Sequence, residues 1–551
     1  MNKLLLIDLT KKTHHYETIP DTIVNQYLGG RGLGVYLLYT MLQPDVDSLD
    51  PENILMFSVG PMQGTDAYYS SRAVLTTKSP LTGIYLFSVA SGSFGHEIKK
   101  AGYTALVIQG KSTDPLYLAI ENETVAFRSA QHVWGLNTIE SQKVMLNDAG
   151  IPHGACACIG QAGERLSPLS VIATGGEKVR TFGRGGAGAV MGSKNLKGIV
   201  VSGTHEPYIA DKKAFSDVKK RIRQSAREAK KWVEIRGRFG TGGDMIEMNE
   251  LGHLPTRNWQ TGVFDGIKGI ALTEIEDIWP RKKVPCGPYC ITPCSHISHI
   301  DSGPWKGATT EGPEYETLYA FGTNCGVDQF DAIVAAEQIC DTYGIDTMSL
   351  GATIAFAMEC FEKGLLNKED AQGLDLRFGN AAAMVEAAKM IAGGKALNEI
   401  FGQGVRVASK KIPNSSSFAM HCKGLEFGGY ECRGAWGQAL QFALSPRGAC
   451  HHAYGLPARS PSDRGETGTQ VSGKGELIKE LAIVRTVLDS LVMCSFPRGI
   501  VGFDNMLRII NAITGMALDA NELKKIGVCA LHWPHAEHED IFGIKGVYIR
   551  L

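Results

Sequence analysis

The sequence predicts an α+β protein in which a β-rich N-terminal region is followed by two mainly helical regions. Short apolar runs separated by turn residues dominate the first 205 residues, and helical periodicity takes over from there to about residue 412. A stretch with proline, asparagine and serine, KKIPNSSS at 410–417, then precedes a mixed last segment. At 551 residues the chain is long enough for roughly two to four domains. We therefore predict domains at residues 1–205, 206–412 and 413–551.

Seven segments of the N-terminal region have the composition of short strands, because each is a brief apolar run next to turn-forming residues. In chain order they are LLLID, NILMFSVG, AVLTT, ALVIQG, LYLAI, LSVIAT and GIVVSG. Many of the 65 glycines fall in the same region. Glycine lets a backbone approach a ligand closely, so this concentration favours a large bound group.

Helical patterns dominate the middle of the chain. The charged segment 210–234 is predicted as one helix that begins at Asp211, a good N-cap residue. Glycines that suit helix ends follow three of the other predicted helices. Those other helices are predicted over 328–343, 349–363, 381–392 and 474–493.

The composition restricts the class of protein. The formal net charge of −1 argues against nucleic acid or an anionic membrane as the main partner, since both usually require a strongly basic surface. The apolar run at residues 4–7 is too short for a signal peptide and ends at Asp8, and no segment is long enough to span a membrane. We expect a cytoplasmic protein, in which thirteen cysteines do not form a disulfide framework.

Three cysteines form the clearest chemical signal. Cys286, Cys290 and Cys294 lie four residues apart in VPCGPYCITPCSH, where a glycine and two prolines between the first and last cysteine predict a loop. Such a loop can direct three thiolates at one iron–sulfur cluster, whose fourth ligand often comes from a distant residue. Zinc is the alternative, with His296 as its fourth ligand. The spacing favours the cluster, leaves zinc open and does not identify the fourth ligand.

Two other motifs allow more than one interpretation. Residues 183–188, GRGGAG, fit the glycine pattern of dinucleotide-binding loops, but a lone match is weak and no ribose-binding acid follows at the usual distance. Together with Arg180 and Arg184, this loop suits a phosphate group. The segment 311–317, EGPEYET, holds three carboxylates, which fit either a solvated helix start or a functional pocket.

Taken in order, the motifs resemble the family of tungsten- or molybdenum-dependent aldehyde:ferredoxin oxidoreductases, over nearly the whole chain. No single motif is specific, whereas their order is. The matching segments are YLGGRGLG, GPMQGT, TKSPLTG, GRGGAGAVMGSKNLK, LPTRNW, EGPEYETL, DTYGID and RGACH.

The resemblance implies a metal held by two pterins beside a [4Fe–4S] cluster, with Cys494 as the fourth cluster ligand. It makes residues 1–205 a pterin-binding domain, and divides the cluster cysteines between the two helical domains. It also implies a Mg²⁺ ion that bridges the pterin phosphates. The residues that the resemblance assigns to pterin binding are Arg72, Arg180, Gly183, Arg184, Gly185, Asp341, Gly344, Asp346, Asp489 and Met493.

Several positions depart from the family pattern. The cysteine pair is C-x-x-x-C where the family has C-x-x-C, and Val492 replaces a glycine of the second pterin motif. The family's Asp-Pro-Arg-Gly becomes Glu-Cys-Arg-Gly at 431–434. Ala335 stands where some members have a glutamate that binds a dimer-bridging iron, so a homodimer is expected without that metal link.

The implied reaction is oxidation of a small aldehyde to a carboxylic acid, with electrons passing to ferredoxin or to a small iron–sulfur subunit. Glu316 and His451 are the candidates for proton transfer, because a histidine or a buried carboxylate titrates near neutral pH. Two alternatives stay open. One is a low-potential reductase of an acid or an aromatic acyl-CoA, and the other is an electron-relay subunit without pterin.

Overall fold

The computed structural model describes residues 2–532, and its N-terminal region contains two six-stranded sheets. The first sheet has the order β2-β1-β6-β3-β4-β5 and the second the order β11-β10-β9-β12-β7-β8. The strands of the first sheet are β1 (Lys3–Asp8), β2 (Thr13–Thr18), β3 (Leu55–Ser58), β4 (Arg72–Lys78), β5 (Tyr85–Ser91) and β6 (Ala105–Gln109). Those of the second are β7 (Leu116–Glu121), β8 (Thr124–Ser129), β9 (Ala155–Cys158), β10 (Ile172–Thr174), β11 (Arg180–Phe182) and β12 (Leu196–Ser202).

All seven predicted strands are present, as β1, β3, β4, β6, β7, β10 and β12. Five further strands were not predicted. Among them β2 lies at a sheet edge and is mostly exposed and polar, so it lacks an apolar signal. The expected β-rich N-terminal region is confirmed.

The two sheets share one apolar core. Buried side chains from both, such as Leu5 and Phe57 of the first and Leu118 and Phe182 of the second, belong to the same hydrophobic cluster. Phe94 and Val190, from the third and sixth helices, also belong to this cluster. The N-terminal region has six helices. They are α1 (Asp21–Tyr27), α2 (Gly30–Met41), α3 (Phe94–Lys100), α4 (Thr138–Asp148), α5 (Gln161–Glu164) and α6 (Ala187–Ser193).

The glycine motif at 183–188 connects β11 to α6, but β11 and the following β12 are not neighbours in the sheet. The dinucleotide-binding unit needs parallel strands around a crossover helix, so this motif does not belong to one.

The middle region is mainly helical, with a small sheet beside the cysteine loop. Its helices are α7 (Lys212–Glu228), α8 (Lys230–Phe239), α9 (Met245–Glu250), α10 (Tyr315–Thr317), α11 (Phe330–Tyr343), α12 (Thr347–Glu362), α13 (Ala381–Ala392), α14 (Asn398–Phe401) and α15 (Val405–Lys411). The antiparallel sheet consists of β13 (Lys282–Val284), β14 (Ser295–His299) and β15 (Thr309–Glu311).

The single helix predicted over 210–234 is two helices, with Asp211 as the N-cap of the first: its side chain accepts a hydrogen bond from the backbone of Ala214. The first helix buries an apolar stripe that ends with Ala226. The next position on that stripe is Lys230, which is exposed. The chain turns at Ala229, because continuing the helix would direct this lysine toward the core.

The last region contributes helices and one short hairpin. They are β16 (His421–Cys422), β17 (Leu425–Glu426), α16 (Trp436–Leu444), α17 (Gly465–Gly468), α18 (Lys474–Leu491), α19 (Arg498–Thr514) and α20 (Ala520–His532). α19 is interrupted at Gly502, whose φ is 70°. No helix within residues 2–532 is long and apolar enough to cross a membrane.

The predicted boundary at residue 412 lies within packed structure. Ile412 and Ser415 are buried, and the Ser415 hydroxyl donates to the Ile412 carbonyl at 2.7 Å. One hydrophobic cluster includes side chains from both sides of this point, among them Phe356 and Ala482. The two helical regions therefore share a core, and their division into separate domains stays a prediction.

Candidate functional site

A cavity of about 360 Å³ brings together most of the residues that the sequence singled out. It lies between the two N-terminal sheets, the cysteine loop and the helical regions. The predicted residues that line it are Arg72, Arg180, Gly183, Arg184, Cys286, Cys290, Cys294, Glu316, Asp341, Asp346, His451 and Cys494. Four predicted residues do not line it: Gly185, Gly344, Asp489 and Met493.

Tyr69 connects Cys494 to the distant cysteine loop through the backbone. Its N–H donates to the carbonyl of Tyr289 at 3.0 Å, and its own carbonyl accepts from the N–H of Cys494 at 2.9 Å. Tyr289 of the cysteine loop and Cys494, which are far apart in sequence, are therefore both bonded to Tyr69. The fourth thiol thus faces the same cavity as the other three.

The additional residue of the C-x-x-x-C pair is accommodated by a turn, in which the N–H of Cys290 donates to the Gly287 carbonyl at 3.4 Å. Gly287 packs so closely on Ser71 that a Cβ added to it would lie 2.2 Å from the Ser71 Cβ. A side chain at this position would displace the loop.

Positive charge surrounds the four thiols. The guanidinium of Arg72 lies 3.2 Å from the Cys494 sulfur. The pKa of Cys286 is lowered, first by a hydrogen bond with Cys290 and then by the charges of Arg72 and Arg180. This lowering favours the thiolate, the form that binds metals, at Cys286 alone. The pKa of Cys290 is raised by the same hydrogen bond and that of Cys294 by burial, so these two thiols would lose their protons on binding a metal.

His296 is oriented away from the thiols. Its Nε2 lies 3.1 Å from the Gly237 carbonyl, and the residue does not line the cavity. Within residues 2–532, no group of three or more His, Cys, Asp or Glu side chains is arranged to hold a single metal ion.

Two arginines, one before the glycine motif and one within it, hold the cavity wall. Arg180 pairs with Glu311 and donates to the Ser295 hydroxyl at 3.1 Å. Arg184 donates to the Ala449 carbonyl at 3.1 Å, and its Nε lies 3.6 Å from an Asp346 oxygen. Gly185 supports this loop with a φ of 72° and close contact with Leu86, a conformation that favours glycine.

The DTYGID motif forms the junction between α11 and α12. Gly344 ends α11 in the left-handed conformation, and the Asp346 carboxylate accepts from the Ser349 N–H at 2.9 Å to begin α12. Asp341, on the last turn of α11, accepts a hydrogen bond from Thr310 at 2.7 Å. Burial raises the pKa of Asp341 to about 7. The motif therefore places two carboxylates on the cavity wall from one tight turn.

Asp489 lies behind the wall. Its two oxygens are each 3.0 Å from the Arg485 guanidinium, and one is 3.5 Å from Arg31. Arg485 itself lines the cavity, so Asp489 orients a group that faces it. Val492, which replaces the family's glycine, caps α18 with a φ of 57°, which explains why glycine suits this position. Met493 is buried in a separate apolar cluster.

Glu316 and His451 lie side by side on the cavity wall. One Glu316 oxygen lies 3.3 Å from His451 Nδ1, and the other accepts from the Gly429 N–H at 2.8 Å. Burial raises the pKa of Glu316 to about 7. Burial and the charge of Arg184 lower the pKa of His451 well below its ordinary value. The pair holds a neutral imidazole beside a carboxyl that titrates near neutral pH.

Four arginines that the sequence did not single out also line the cavity: Arg236, Arg447, Arg459 and Arg485. Arg447 belongs to the RGACH motif and was accessible to sequence reasoning, while the other three have no local signature. Arg459 pairs with Asp244 at 2.9 Å and lies near the rings of Tyr315 and Tyr430.

The chain matches known proteins over almost its entire length. Residues 4–203 match the family model "Aldehyde ferredoxin oxidoreductase, N-terminal domain", and residues 217–533 match "Aldehyde ferredoxin oxidoreductase, domains 2 & 3". A tungsten-containing aldehyde ferredoxin oxidoreductase of Pyrococcus abyssi is 35% identical over 540 residues, which are 95% of this chain and 86% of the relative.

More distant relatives match this chain over a similar share of its length. The aliphatic sulfonate oxidoreductase, WOR-like subunit, of Pyrococcus furiosus is 30% identical over 96% of this chain and 84% of its own length. A solved structure, described as the active site complex BamBC of benzoyl coenzyme A reductase with 1,5-dienoyl-CoA, has the same fold. It superposes with a TM-score of 0.80 at 21% identity and covers 96% of this chain and 87% of that one. The expected fold and family are confirmed: the chain belongs to the aldehyde ferredoxin oxidoreductase family of enzymes.

Proposed function

We propose that this protein is a tungsten (or molybdenum) bis-pterin enzyme that oxidises an aldehyde to a carboxylic acid. Its electrons leave through a [4Fe–4S] cluster on Cys286, Cys290, Cys294 and Cys494 to ferredoxin or a small iron–sulfur subunit. One observation carries the proposal: a single cavity is lined by four thiols, by seven arginines and by the Glu316–His451 pair. This combination suits a cluster, phosphate groups and proton transfer at one site.

Seven arginines and six carboxylates line the cavity, and the arginines provide the part of the wall that fits an anionic cofactor. Five buried guanidinium nitrogens on it have no hydrogen-bond partner among residues 2–532: Arg72 Nε, Arg180 Nη2, Arg184 Nε, Arg447 Nε and Arg459 Nε. Buried charged donors without a partner are costly, so these positions favour a ligand that supplies acceptors. Pterin phosphates are such acceptors, and Mg²⁺ would offset their mutual repulsion. Asp341 and Asp346, and Arg485 held by Asp489, would contact the pterin rings.

A metal held by pterin sulfurs supplies two-electron redox chemistry and polarises bound oxygen atoms. The overall reaction converts an aldehyde and water into a carboxylic acid, two protons and two electrons. Glu316 is placed to take a proton from water, because its pKa of about 7 leaves part of the carboxyl ionised at neutral pH. The neutral His451 ring has its Nδ1 3.3 Å from a Glu316 oxygen, with no hydrogen bond between the two atoms, and is the candidate to receive that proton.

The alternatives have less support. The relatives at 33–35% identity are described as tungsten-containing aldehyde ferredoxin oxidoreductases, which favours aldehyde oxidation. The acyl-CoA reductase alternative relies on a structure at 21% identity, which establishes the fold alone. The pterin-free relay leaves the buried arginine nitrogens without acceptors. We further propose a cytoplasmic location and a homodimer.

Metal analysis and a substrate panel test the proposal together. The full chain is produced with tungstate or molybdate and its metals are measured, followed by anaerobic reduction of benzyl viologen with a series of aldehydes. We expect about four iron atoms per chain, as one cubane cluster requires, with tungsten or molybdenum and aldehyde-dependent dye reduction.

Each alternative predicts a different result. Iron without tungsten or molybdenum would favour the electron relay. Loss of an aromatic acyl-CoA driven by reduced dye, with no aldehyde oxidation, would favour the reductase. Zinc in place of iron would overturn the cluster.

A further inference from the structure

Helices α7 and α8 carry strong positive charge on a chain that is close to neutral overall. Residues 212–239 contain eleven Lys or Arg and three Asp or Glu, whereas the whole chain has a formal net charge of −1. Only Trp232 and Arg236 of this segment line the cavity, so the proposed chemistry leaves most of this charge without a role. The relevant side chains form what we call the basic face: Arg223, Arg227, Lys230, Lys231, Lys282 and Lys283, all of which are exposed.

One edge of the basic face touches the segment that joins the four thiols. Arg223 donates a hydrogen bond to the Tyr68 hydroxyl, and its guanidinium lies 5.4 Å from the centre of that ring. The next residue, Tyr69, is hydrogen-bonded to Tyr289 of the cysteine loop and to Cys494. Arg223, at the α7 edge of the face, is therefore connected to Cys494 through Tyr68 and Tyr69.

The other edge meets the opposite end of the cysteine loop. Lys283 lies in β13, paired with His296 of β14. Its Nζ is 3.0 Å from the position that a Cβ on Gly237 of α8 would occupy, and the Pro293 carbonyl is 3.6 Å from the same point. Pro293 directly precedes Cys294. The exposed residues Arg227, Lys230 and Lys231 lie in the chain between these two edges.

The cysteine loop itself reaches the surface between the two edges. Pro285 and Pro288 are exposed, and Cys286, Cys290 and Cys294 are partly exposed. The negative charge nearby is limited. Asp66 pairs with Lys219, and Glu234 lies 3.8 Å from Lys230. The surface beside the thiols thus combines a small uncharged loop with a surrounding group of cations.

We propose that the basic face is the docking surface for an acidic iron–sulfur carrier protein that takes one electron at each encounter. The inference rests on the proposed function, since it requires electrons to leave through the cluster. In each encounter the cluster loses one electron and the carrier gains it, so oxidation of one aldehyde needs two such transfers. A carrier that must bind and leave repeatedly suits a charged, salt-sensitive contact, because charge steers association without making it tight.

Charge reversal tests the inference on the full, metal-loaded enzyme. The variant Arg227→Glu/Lys230→Glu/Lys231→Glu is assayed with an aldehyde and two acceptors, an acidic [4Fe–4S] ferredoxin and benzyl viologen. We expect the KM for ferredoxin to rise about 10-fold or more at low salt, because electrostatic steering changes association rates by that order. Dye reduction, iron content and the KM for the aldehyde should stay at wild-type values, since none of the three residues lines the cavity.

A matched control reverses three exposed lysines elsewhere, Lys368→Glu/Lys395→Glu/Lys410→Glu, none of which lines the cavity. An equal rise in the ferredoxin KM in this control would overturn the inference, as would an unchanged KM in the first variant. The inference would also be overturned if the first variant kept its ferredoxin kinetics but lost binding to a short DNA duplex, because the face would then bind nucleic acid. Absence of aldehyde-dependent dye reduction in the wild type contradicts the proposed function instead, and ferredoxin binding to the two variants then still tests the surface.

Discussion

Burial acts on the two candidate proton-transfer residues so that neither carries a full charge near neutral pH. It raises the pKa of Glu316 to about 7 and lowers that of His451. A carboxyl with a pKa near the working pH transfers protons in both directions, as general acid–base catalysis requires. The Gly429 N–H, 2.8 Å from Glu316, counteracts part of the burial effect by favouring the carboxylate.

Replacing Glu316→Gln should reduce turnover about 100-fold or more, because the amide keeps the hydrogen bond from Gly429 but cannot take a proton. Tungsten or molybdenum and iron contents should stay at wild-type values. Steady-state dye reduction with metal analysis checks this expectation. The exposed Glu362→Gln, outside the cavity, is the control and should behave as wild type. Wild-type turnover in the Glu316 variant would remove this residue from the chemistry.

The same carboxyl predicts a pH dependence. Its folded pKa is raised, so the ionised form accumulates only as pH rises through about 7. If Glu316 acts as the base, kcat/KM should increase across that interval and level off above it, and the Gln variant should lose the increase. A pH profile of the wild type that falls through the interval would assign the acid form to the reaction.

At the scale of elements, the cysteine loop depends on one glycine. The turn at Gly287 lets C-x-x-x-C direct its thiols into the cavity. Ser71 packs against this glycine and leaves no room for a side chain there. Ser71 adjoins Arg72, which lies against the Cys494 sulfur. The start of β4 and the loop are thus packed against each other beside all four thiols.

Gly287→Ala should lower the iron content per chain, because its Cβ would lie 2.2 Å from that of Ser71 and overpacking of this kind costs about 1–3 kcal/mol. The double variant Gly287→Ala/Ser71→Gly removes the clash and should recover iron. Iron analysis and visible absorbance check both. Gly475→Ala, with open space around it, is the matched control. Full iron in the single variant would show that the loop tolerates displacement.

At the scale of the whole molecule, Asp489 joins distant parts of the chain. It is buried between Arg31 of α2 and Arg485 of α18, and Arg31 also donates to the Ala453 carbonyl at 2.9 Å. The sheet region and the last helical region are thereby tied by one carboxylate and two guanidinium groups. The same arrangement directs Arg485 to the cavity.

Asp489→Ala should lower the free energy of unfolding by about 3–5 kcal/mol, since two buried cations would lose their partner. Urea unfolding of the full chain measures the loss. The control Asp504→Ala removes an exposed carboxylate that pairs with Arg221 and Arg508 and should cost less than about 1 kcal/mol. Equal losses would mean that the buried ion pair does not join these regions more strongly than a surface pair does.

Local patterns in the sequence were sufficient for much of the fold and part of the site. The seven apolar strands, the N-cap Asp211 and the helix-ending Gly344 all follow from residue periodicity and backbone preference. Edge strand β2 and the turn at Ala229 were not predicted, because exposure and a change of packing direction leave no periodic signal. The ordered motifs predicted the family, which the matches confirm.

What the sequence determined by itself is the set of chemical groups: three thiols in a loop, a glycine motif with arginines, three carboxylates at 311–317 and the histidine of the RGACH motif. Only the tertiary structure decided which groups meet. It brings Cys494 to the loop through Tyr69, places Glu316 beside His451, and places Asp489 behind Arg485. Spacing encodes local geometry, whereas burial and charge pairing depend on contacts between residues far apart in the chain. Those contacts set the pKa of Glu316 and leave the buried guanidinium nitrogens that favour an anionic cofactor.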